Sequence, residues 1–403
     1  MKKNAFTLIE LLAVIAILTI IMVISVPQLI TSIKNKKTDA LEKTKDLLTS
    51  AARNYVIDYE LKVPTSISIE TLCKNDYLEC PIKNPIDNSN LNGYVNVDDN
   101  KVYVYSDTRD YITIRDYIID LYNDESLRTS NGLKKDNTVD TNIRYYGSDP
   151  NNYVSFNNEL WRIIGVFGNN VKLVRSESLG SLSWDSSDSS INKGNGINQW
   201  GESTDVNGNT YLGADLQVYL NKMYYGGVET TCYNGADNSE TTCPTNTLDR
   251  TAKLLIDKHT WSLGAIEMSI EDTISFYNAE RGTAKWTGYV ALPYITDWAY
   301  ASSESACETN IQTKDSSNLF VCKNNNWMQR SDWTWYLSPS GQSADASNAW
   351  AVSGNNNYVY YRMFGAMNKF ASFGFDVAPS IYLKSSVLMK GGSGTSSDPY
   401  KLA

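Results

Sequence analysis

One carboxylate lies inside the apolar stretch near the start of the chain. Glu10 is followed by sixteen residues, 11–26, that carry no charge. With residues 6–9 the apolar block reaches about 20 residues, which is long enough to span a bilayer. A charged side chain deep in lipid costs about 2.5–3.5 kcal/mol. An acid at this position therefore indicates a specific partner and a function.

The single histidine is the next candidate for chemistry. His259 follows a helical pattern in LDRTAKLLIDKHTW, and no GxSxG, HExxH or SxxK motif accompanies it. A lone histidine of this kind is more often structural than catalytic. Glycoside hydrolysis needs only two carboxylates about 5–9 Å apart in space, which sequence spacing does not reveal. We predict no enzyme activity, with a surface enzyme as the alternative.

Two turns carry oxygen ligands of the type that calcium binds. Their residues are Asp98 and Asp99 in one turn, and Asp205, Asn207, Asn209 and Asp215 in the other. In the second turn the glycine is misplaced and the final glutamate of a calcium loop is missing. We therefore predict solvated turns and no cofactor, with calcium as the alternative.

The six cysteines form three near pairs in the sequence. They are Cys73 and Cys80, Cys232 and Cys243, and Cys307 and Cys322. Close spacing favours pairing between these neighbours. A zinc site is not expected, because no pair has CxxC spacing and the only histidine is remote. We predict disulfides of about 2–3 kcal/mol each, and hence a location outside the cytosol, with free thiols as the alternative.

Tryptophans are the candidate ligand-binding residues. All ten lie between Trp161 and Trp350, next to many Asn, Asp and Ser residues. Sugar- and protein-binding surfaces use such mixtures. The candidates are Trp184, Trp200, Trp286, Trp298, Trp327, Trp333 and Trp335. The alternative, which we favour for any single tryptophan, is that most of them fill the core of a loop-rich domain.

Composition limits the classes of protein that can position these residues. The chain has 403 residues, 42% of them hydrophobic and 20% charged, which is typical of a globular protein with two or three domains. A net charge of −9 argues against nucleic acid as a partner. The 27 tyrosines and the abundant Asn, Ser and Thr suit an extracellular surface.

A long helix is the first predicted element. Apolar residues continue past Pro27 at helical spacing to Tyr59, with Lys and acidic residues between them. The pattern predicts one helix over about 6–61, roughly 80 Å long. Its first part is apolar all round, and its second part is amphipathic and can pack on a globular head.

Two simple interpretations of the first segment leave Glu10 unexplained. A secretory signal peptide fits poorly, because the region before the apolar run is short and no A-x-A site ends it. A plain signal anchor has no clear orientation, because lysines flank both ends of the apolar run. A third interpretation is needed.

The stretch AFTLIELLAVIAILTII resembles the class III signal of type IV prepilins and pseudopilins. The resemblance implies that a prepilin peptidase cuts between Ala5 and Phe6 and that the new amine is methylated. Glu10 then becomes the fifth residue, and Pro27 the twenty-second, as in that family. The resemblance also implies that Glu10 meets the free N-terminus of a neighbouring subunit. The family usually has Gly before the cut, so Ala5 could slow processing.

The pattern and the resemblance together divide the chain into five parts. These are a leader at 1–5, a pilin helix at 6–62 with a transmembrane part at about 6–28, a head at 63–108, a helix and polar linker at 109–142, and an extracellular domain at 143–403. The head, with a short helix and a hairpin, resembles the minimal head of Gram-positive pilins and pseudopilins.

The predicted fold class is α+β, with a long N-terminal helix, a small pilin-like β head and a larger loop-rich antiparallel C-terminal domain. LWRIIGVF and WYLSPSG, with the final FDVAPSIYLKSSV, resemble segments of uncharacterised Gram-positive surface proteins. A more distant likeness is to C-type-lectin-like or formylglycine-generating-type folds.

These observations predict a minor, tip-type type IV pilin or pseudopilin subunit, because so large a head would crowd a repeating filament. The expected partners are the prepilin peptidase, other pilin subunits and the membrane, with the N-terminus cytoplasmic and the bulk extracellular, at the cell surface or in a pilus. The alternative is a surface adhesin that binds glycans or proteins.

Overall fold

The structure is a computed structural model. It describes residues 8–185, 200–204, 208, 210–211, 213–234, 239–264, 270, 272–309, 311, 322–330, 335–338, 350–352, 359–360 and 374–403. The chain divides into two compact units, Met1–Ile112 (unit 1) and Thr113–Ala403 (unit 2). The architecture is mixed α and β, with an N-terminal helix and a sheet-rich C-terminal region.

Unit 1 begins with the long helix that the periodicity predicts. Helix α1 (Leu8–Asp58) has 51 residues, about 77 Å at 1.5 Å per residue, and its backbone stays helical through Pro27. Near its C-terminal end Leu48, Ala52 and Val56 are buried. Their spacing of four residues places them on one face, which explains why this end packs on the rest of unit 1.

A small sheet and a short helix complete unit 1. They are β1 (Thr65–Ser68), α2 (Ile69–Lys74), β2 (Tyr94–Val97) and β3 (Tyr103–Ser106). The strands are antiparallel in the order β1–β2–β3. Ser68 caps α2 by accepting a hydrogen bond from the Thr71 backbone N–H at its Oγ. The short helix and the hairpin that the sequence predicts are both present.

The elements of unit 2 follow a two-residue strand at the junction, β4 (Ile112–Thr113). The helices are α3 (Ile114–Asn123), α4 (Glu125–Ser130), α5 (Asp215–Val218), a π-helix (Tyr219–Tyr225), α6 (Arg250–Leu255), α7 (Thr273–Glu280), α8 (Ile295–Tyr300) and α9 (Ala306–Thr309). The strands are β5 (Leu133–Lys135), β6 (Ile143–Tyr145), β7 (Tyr153–Phe156), β8 (Glu159–Phe167), β9 (Asn170–Arg175), β10 (Ser181–Ser183), β11 (Ser203–Thr204), β12 (Thr210–Tyr211), β13 (Cys232–Tyr233), β14 (Glu240–Thr241), β15 (His259–Ser262), β16 (Lys285–Gly288), β17 (Val290–Ala291), β18 (Trp335–Leu337), β19 (Trp350–Val352), β20 (Val359–Tyr360), β21 (Gly374–Asp376), β22 (Ser380–Leu383), β23 (Leu388–Gly391) and β24 (Tyr400–Leu402).

A large sheet organises unit 2. Its main path is β17–β22–β9–β8–β7–β24–β23–β4, and β6 pairs with both β8 and β5. The pairings are antiparallel along β22–β9–β8–β7, whereas β24 joins β7 in parallel. The C-terminal strand is therefore paired in the sheet. A second sheet has the order β10–β21–β18–β19–β20.

The polar stretch that we predicted to be a linker, within 109–142, is structured. The predicted helix of this region is present as α3, and the stretch after it contains α4 and β5, with Leu133 buried in the hydrophobic core of unit 2. Asp136 and Thr138, two polar residues of this stretch, are buried and hydrogen-bonded to each other. Local polarity failed as a guide here because the polar groups have partners inside unit 2.

Gly165 determines how closely the strands at the centre of the sheet approach. Its register partners are Arg144 on β6 and Lys172 on β9. A Cβ atom at Gly165 would lie 2.2 Å from the Ile143 carbonyl oxygen, so any larger residue would force β6 away. Glycine therefore lets two cationic side chains flank an empty position on one face of the sheet.

Candidate functional site

The first part of α1 exposes apolar side chains in every direction. Leu8, Ile9, Leu11 and Leu12 are between 56% and 78% exposed. At 100° per residue, these four together with the exposed apolar residues named next face all sides of the helix. The further exposed apolar residues are Val14, Ile15, Ile17, Leu18, Ile20, Ile21 and Met22. A helix that is apolar all round is stable only when other apolar groups surround it.

We predicted a transmembrane segment over about 6–28. Within the part of the chain that the structure describes, no helix combines the length and the hydropathy required to cross a membrane.

Glu10 lies in the first turn of α1 on this apolar segment and is exposed. A carboxylate in the first turn of a helix interacts favourably with the positive end of the helix dipole. Ala5 and Phe6, where we predicted processing, lie outside the described residues. For Pro27 the structure shows the helical backbone alone. Of the four predicted processing and assembly residues, Glu10 is thus the one whose side chain the structure describes.

The comparisons with known proteins identify this segment. Residues 1–26 match the prokaryotic N-terminal methylation motif. The segment is a type IV prepilin-like class III signal. No curated protein and no solved structure matches the chain.

The prepilin-like signal confirms the resemblance seen in AFTLIELLAVIAILTII. The matched residues include Ala5, Phe6 and Glu10, and the match ends one residue before Pro27. A signal of this type implies processing by a prepilin peptidase, assembly with pilin-type subunits in general, and association with a membrane or the cell surface.

The three disulfides form between the predicted neighbours. They are Cys73–Cys80, Cys232–Cys243 and Cys307–Cys322, with Cα–Cα distances of 5.8, 5.2 and 5.4 Å. One pair lies in unit 1 and two lie in unit 2, and no cysteine is free. Both units are therefore cross-linked in the manner of proteins from oxidising compartments.

Four of the seven candidate ligand-binding tryptophans are core residues. Trp184, Trp200, Trp298 and Trp327 are at most 6% exposed. The last two satisfy their Nε1–H groups internally, on Gln329 Oε1 and the Tyr145 carbonyl oxygen. Side chains as buried as these four offer no surface to a ligand, so the ligand-binding prediction is corrected for them.

The other three candidates differ in what the structure describes. Trp286 is half-buried and packs edge-on against Trp200, with ring centroids 6.3 Å apart. Trp335 lies on β18, where the backbone alone is described, and Trp333 lies outside the described residues. The ligand-binding role of these three stays a prediction.

His259 lies on a strand and not on the helix that its surroundings predicted. Helix α6 ends at Leu255, and His259 begins β15, opposite Gly288 on β16. Its ring stacks on Tyr382 with centroids 3.7 Å apart, and its Nδ1 lies 3.2 Å from Asp257 Oδ2. Burial lowers the pKa of His259 and outweighs the effect of Asp257. These contacts describe a packed histidine, which is the structural role we expected.

The described part of the two acidic turns makes the contacts of an ordinary folded loop. Asp98 Oδ1 accepts hydrogen bonds from the backbone N–H groups of Asn100 and Val102, which closes the β2–β3 hairpin. Asp215 lies in the first turn of α5, and Asp205, Asn207 and Asn209 lie outside the described residues. Among the described residues, no group of three or more His, Cys, Asp or Glu side chains could hold a metal ion.

Unit 2 also contains a cluster of buried charges that the sequence patterns did not reveal. We call it the charged cluster. Its members are the cations Arg144, Lys172 and Arg281 and the carboxylates of Asp136, Glu280 and Asp297. All but Arg281 are at most 4% exposed. Three positive and three negative groups balance, which is how buried charges are tolerated.

Contacts in the charged cluster are direct. Arg144 donates from Nε to Asp136 Oδ2 at 2.6 Å and from Nη1 to Asp297 Oδ1 at 2.8 Å. Lys172 Nζ lies 2.5 Å from Asp297 Oδ2. Arg281 Nη1 lies 2.9 Å from Glu280 Oε2. Asp297 is therefore held between two cations on neighbouring parts of the sheet.

Burial and the neighbouring charges shift the titration of the charged cluster in opposite directions. Burial lowers the pKa of Lys172 to about 8, although Asp297 opposes this shift. Burial would raise the pKa of Asp297, but the charges of Lys172 and Arg144 outweigh it and lower the value to about 2. Burial dominates for Glu280, whose pKa is raised.

The signal that could have revealed the charged cluster is weak. VKLVR places Lys172, and NIRYY places Arg144, between apolar residues of a strand. Such a residue usually points to solvent when the opposite face of a strand is buried. Here β6 and β9 are buried on both faces, and only the tertiary structure shows this.

Proposed function

We propose that this protein is a minor, tip-type subunit of a type IV pilus or pseudopilus, with unit 2 displayed outside the cell. The observation that carries the proposal is the prepilin-like signal at 1–26, which continues without a break into the 51-residue helix α1. The role is structural, and the N-terminal segment is the assembly surface.

The exposed segment of α1 supports assembly through helix–helix contact. Its apolar side chains gain about 25 cal/mol for each Å² that leaves water. Neighbouring copies of the same kind of helix offer a matching surface. Glu10 lies on this surface and would pair with the amine that processing frees at Phe6 of a neighbour. The other end of α1 is occupied by the core of unit 1 and is not available for this contact.

The size of unit 2 supports a minor position. Thr113–Ala403 forms one compact unit that follows a head of ordinary small size. A subunit that repeats at every step along a filament has little room for such an addition. A subunit that occurs once, at the tip, has room for a large added unit. The two disulfides of unit 2 agree with display in an oxidising environment.

The test is the recovery of the protein in sheared surface material. Glu10→Ala should leave processing intact and reduce the amount of processed protein in the sheared fraction relative to the membrane fraction. The matched control is Glu42→Ala, which removes a carboxylate from the same helix. Glu42 is exposed and pairs with Lys45 at 3.0 Å, so its loss should leave recovery at the wild-type level.

Equal recovery of wild type and Glu10→Ala would contradict assembly through this residue. Loss of recovery in both variants would mean that any lost charge on α1 interferes, which would also contradict the specific role. N-terminal sequencing of the recovered protein checks processing separately. A mature chain that begins at Phe6 is expected in all three strains.

The adhesin alternative rested on exposed aromatic side chains. With four of the seven candidates in the core, no specific contact in the described residues favours it, and we retain the structural role.

A further inference from the structure

Lys172 and Asp297 form a pair from which water is excluded. Lys172 is on β9 and Asp297 is on α8, 125 residues further along the chain. The Nζ and Oδ2 atoms are 2.5 Å apart, and both side chains are 0% exposed. Asp297 Cγ is bonded to Oδ2, so it lies at most one bond length further from the amine nitrogen. The fold thus holds two oppositely charged groups in direct contact inside unit 2.

Aromatic rings surround the Lys172 amine. Its Nζ lies 4.2 Å from the ring centroid of Tyr294, 5.2 Å from that of Trp261, 5.3 Å from that of Tyr382 and 5.7 Å from that of Phe167. These rings stabilise a cation weakly and exclude solvent. Since burial lowers the pKa of this amine to about 8, its neutral form is far more accessible than that of an exposed lysine.

Hydrogen-bond donors hold both oxygens of the Asp297 carboxyl group. Arg144 Nη1 donates to Oδ1 at 2.8 Å, and the Tyr294 backbone N–H donates to Oδ2 at 2.9 Å. Donors placed in this way stabilise the negative charge that develops on oxygen when a nucleophile adds to the carbonyl carbon. The carboxyl group is therefore presented to the amine with its oxygens already supported.

We propose that Lys172 and Asp297 become joined by an isopeptide bond, an amide between Lys172 Nζ and Asp297 Cγ. The Lys172 ammonium first transfers one proton to Asp297 Oδ2, which gives a neutral amine and a neutral carboxyl group. The nitrogen lone pair then forms the new bond to Cγ, the Cγ–Oδ2 bond breaks, and Oδ2 leaves as water with that proton and a second proton from the nitrogen. The atoms and charges of an ammonium and a carboxylate equal those of an amide plus one water, so no oxidant or other reactant is required.

Charge balance in the charged cluster is preserved by this step. It removes one cation and one anion together. Arg144 keeps Asp136 at 2.6 Å, and Arg281 keeps Glu280 at 2.9 Å. Asp297 Oδ1 becomes the amide oxygen and still accepts from Arg144. Two buried ions are replaced by a neutral group, which removes their desolvation penalty.

A second lysine–carboxylate pair shows why proximity alone is not sufficient. Lys134 Nζ lies 2.6 Å from Glu308 Oε1, but the two side chains are 16% and 32% exposed. Water reaches this pair, solvates both ions and opposes condensation. We expect Lys134 and Glu308 to remain an ion pair, and they provide a matched control in the same unit.

The experiment is intact mass spectrometry of the full processed chain after reduction and alkylation of the disulfides. The expected mass is lower than that of the sequence by one water molecule. A peptide digest should contain one branched peptide that joins the segments around Lys172 and Asp297. A chain at its full mass, or a missing water that maps to any other position, would overturn the proposal.

Variants assign the bond to this pair. Lys172→Met and Asp297→Ala should each restore the full mass, whereas Lys134→Met should keep the deficit. A deficit that persists in Lys172→Met would contradict the assignment. If a variant fails to fold, the branched peptide of the wild-type protein still decides the question, because its fragments identify the joined residues directly.

Discussion

The cores of the two units differ in kind. In unit 1 the buried hydrophobic cluster is aliphatic and is formed by Leu48, Ala51, Ala52, Val56, Ile67, Ile69, Leu72, Leu78, Leu91, Val95 and Val97. Asn96 is the buried polar side chain among its described residues. In unit 2 the core surrounds the charged cluster and many aromatic side chains. Single substitutions should therefore destabilise the two cores by different mechanisms.

An aliphatic core loses stability in proportion to the volume removed, because its contacts are many and individually weak. A buried ionic network depends on every partner, because one missing partner leaves an unpaired charge out of water. The difference predicts that a change of charge is the most damaging kind of change in unit 2, and a loss of volume the most damaging kind in unit 1.

The largest expected effect follows the loss of Arg144. Arg144→Met leaves Asp136 and Asp297 without their shared cation and should lower the free energy of unfolding of unit 2 by about 3–5 kcal/mol. Thermal unfolding followed by tryptophan fluorescence measures this unit selectively, because all ten tryptophans lie in it.

The control for this measurement is Arg115→Met. Arg115 Nη1 lies 2.7 Å from Asp116 Oδ1, with side chains 29% and 36% exposed. An exposed pair contributes about 0–1 kcal/mol. If the two arginine variants lost similar stability, the contrast between a charged core and a solvated surface would not hold.

A smaller effect is expected in unit 1 from Leu48→Ala. Leu48 is fully buried, and truncating a buried leucine costs about 2–5 kcal/mol. Hydrogen exchange of the β2 and β3 amides should become faster, while exchange in the large sheet of unit 2 should not change. The adjacent Leu47 is 54% exposed, so Leu47→Ala should leave both units unaffected.

The smallest effect is the pH dependence at the acid end. For Asp136 burial opposes ionisation, but the Arg144 charge and its hydrogen bond outweigh it and lower the pKa below 3.8. A lowered pKa contributes stability that is present above 3.8 and is lost as the pH falls through the folded value. Unit 2 should therefore melt at lower temperature as the pH falls below 3.8.

Hydrogen exchange in unit 1 gives the comparison for this titration. Its buried cluster contains no carboxylate among the described residues, so its protection should depend less on pH. A loss of protection in unit 1 that matches the loss in unit 2 would show that the acid effect does not come from the charged cluster.

Sequence patterns were a good guide wherever local order decided the outcome. The signal, the long helix α1, the β2–β3 hairpin and the three disulfides follow from short-range spacing of apolar residues, turn residues and cysteines. Pro27 did not interrupt the helical backbone, and Leu48, Ala52 and Val56 lie on the amphipathic face that the periodicity required.

Sequence patterns were a poor guide where residues distant in the chain meet. Local patterns left open whether Trp184, Trp200, Trp298 and Trp327 bind a ligand or fill the core, and unit 2 buries them. The pattern before His259 predicts a helix, yet pairing with Gly288 places it on a strand. In each case contacts with residues far along the chain decided the outcome.

The sequence by itself determined the prepilin-like signal. A peptidase and an assembly partner recognise a short linear segment, and all the residues that they need lie within about 20 positions. The sequence also determined the length of α1 and the cysteine pairs. Only the tertiary structure decided that Arg144, Lys172 and Asp297 meet. Lys172 on β9 and Asp297 on α8 are 125 residues apart in the chain, and only the packing of α8 against the sheet brings them together. From sequence alone, a charged residue is predicted to face solvent. The residues that exclude water from it come together only in the folded chain.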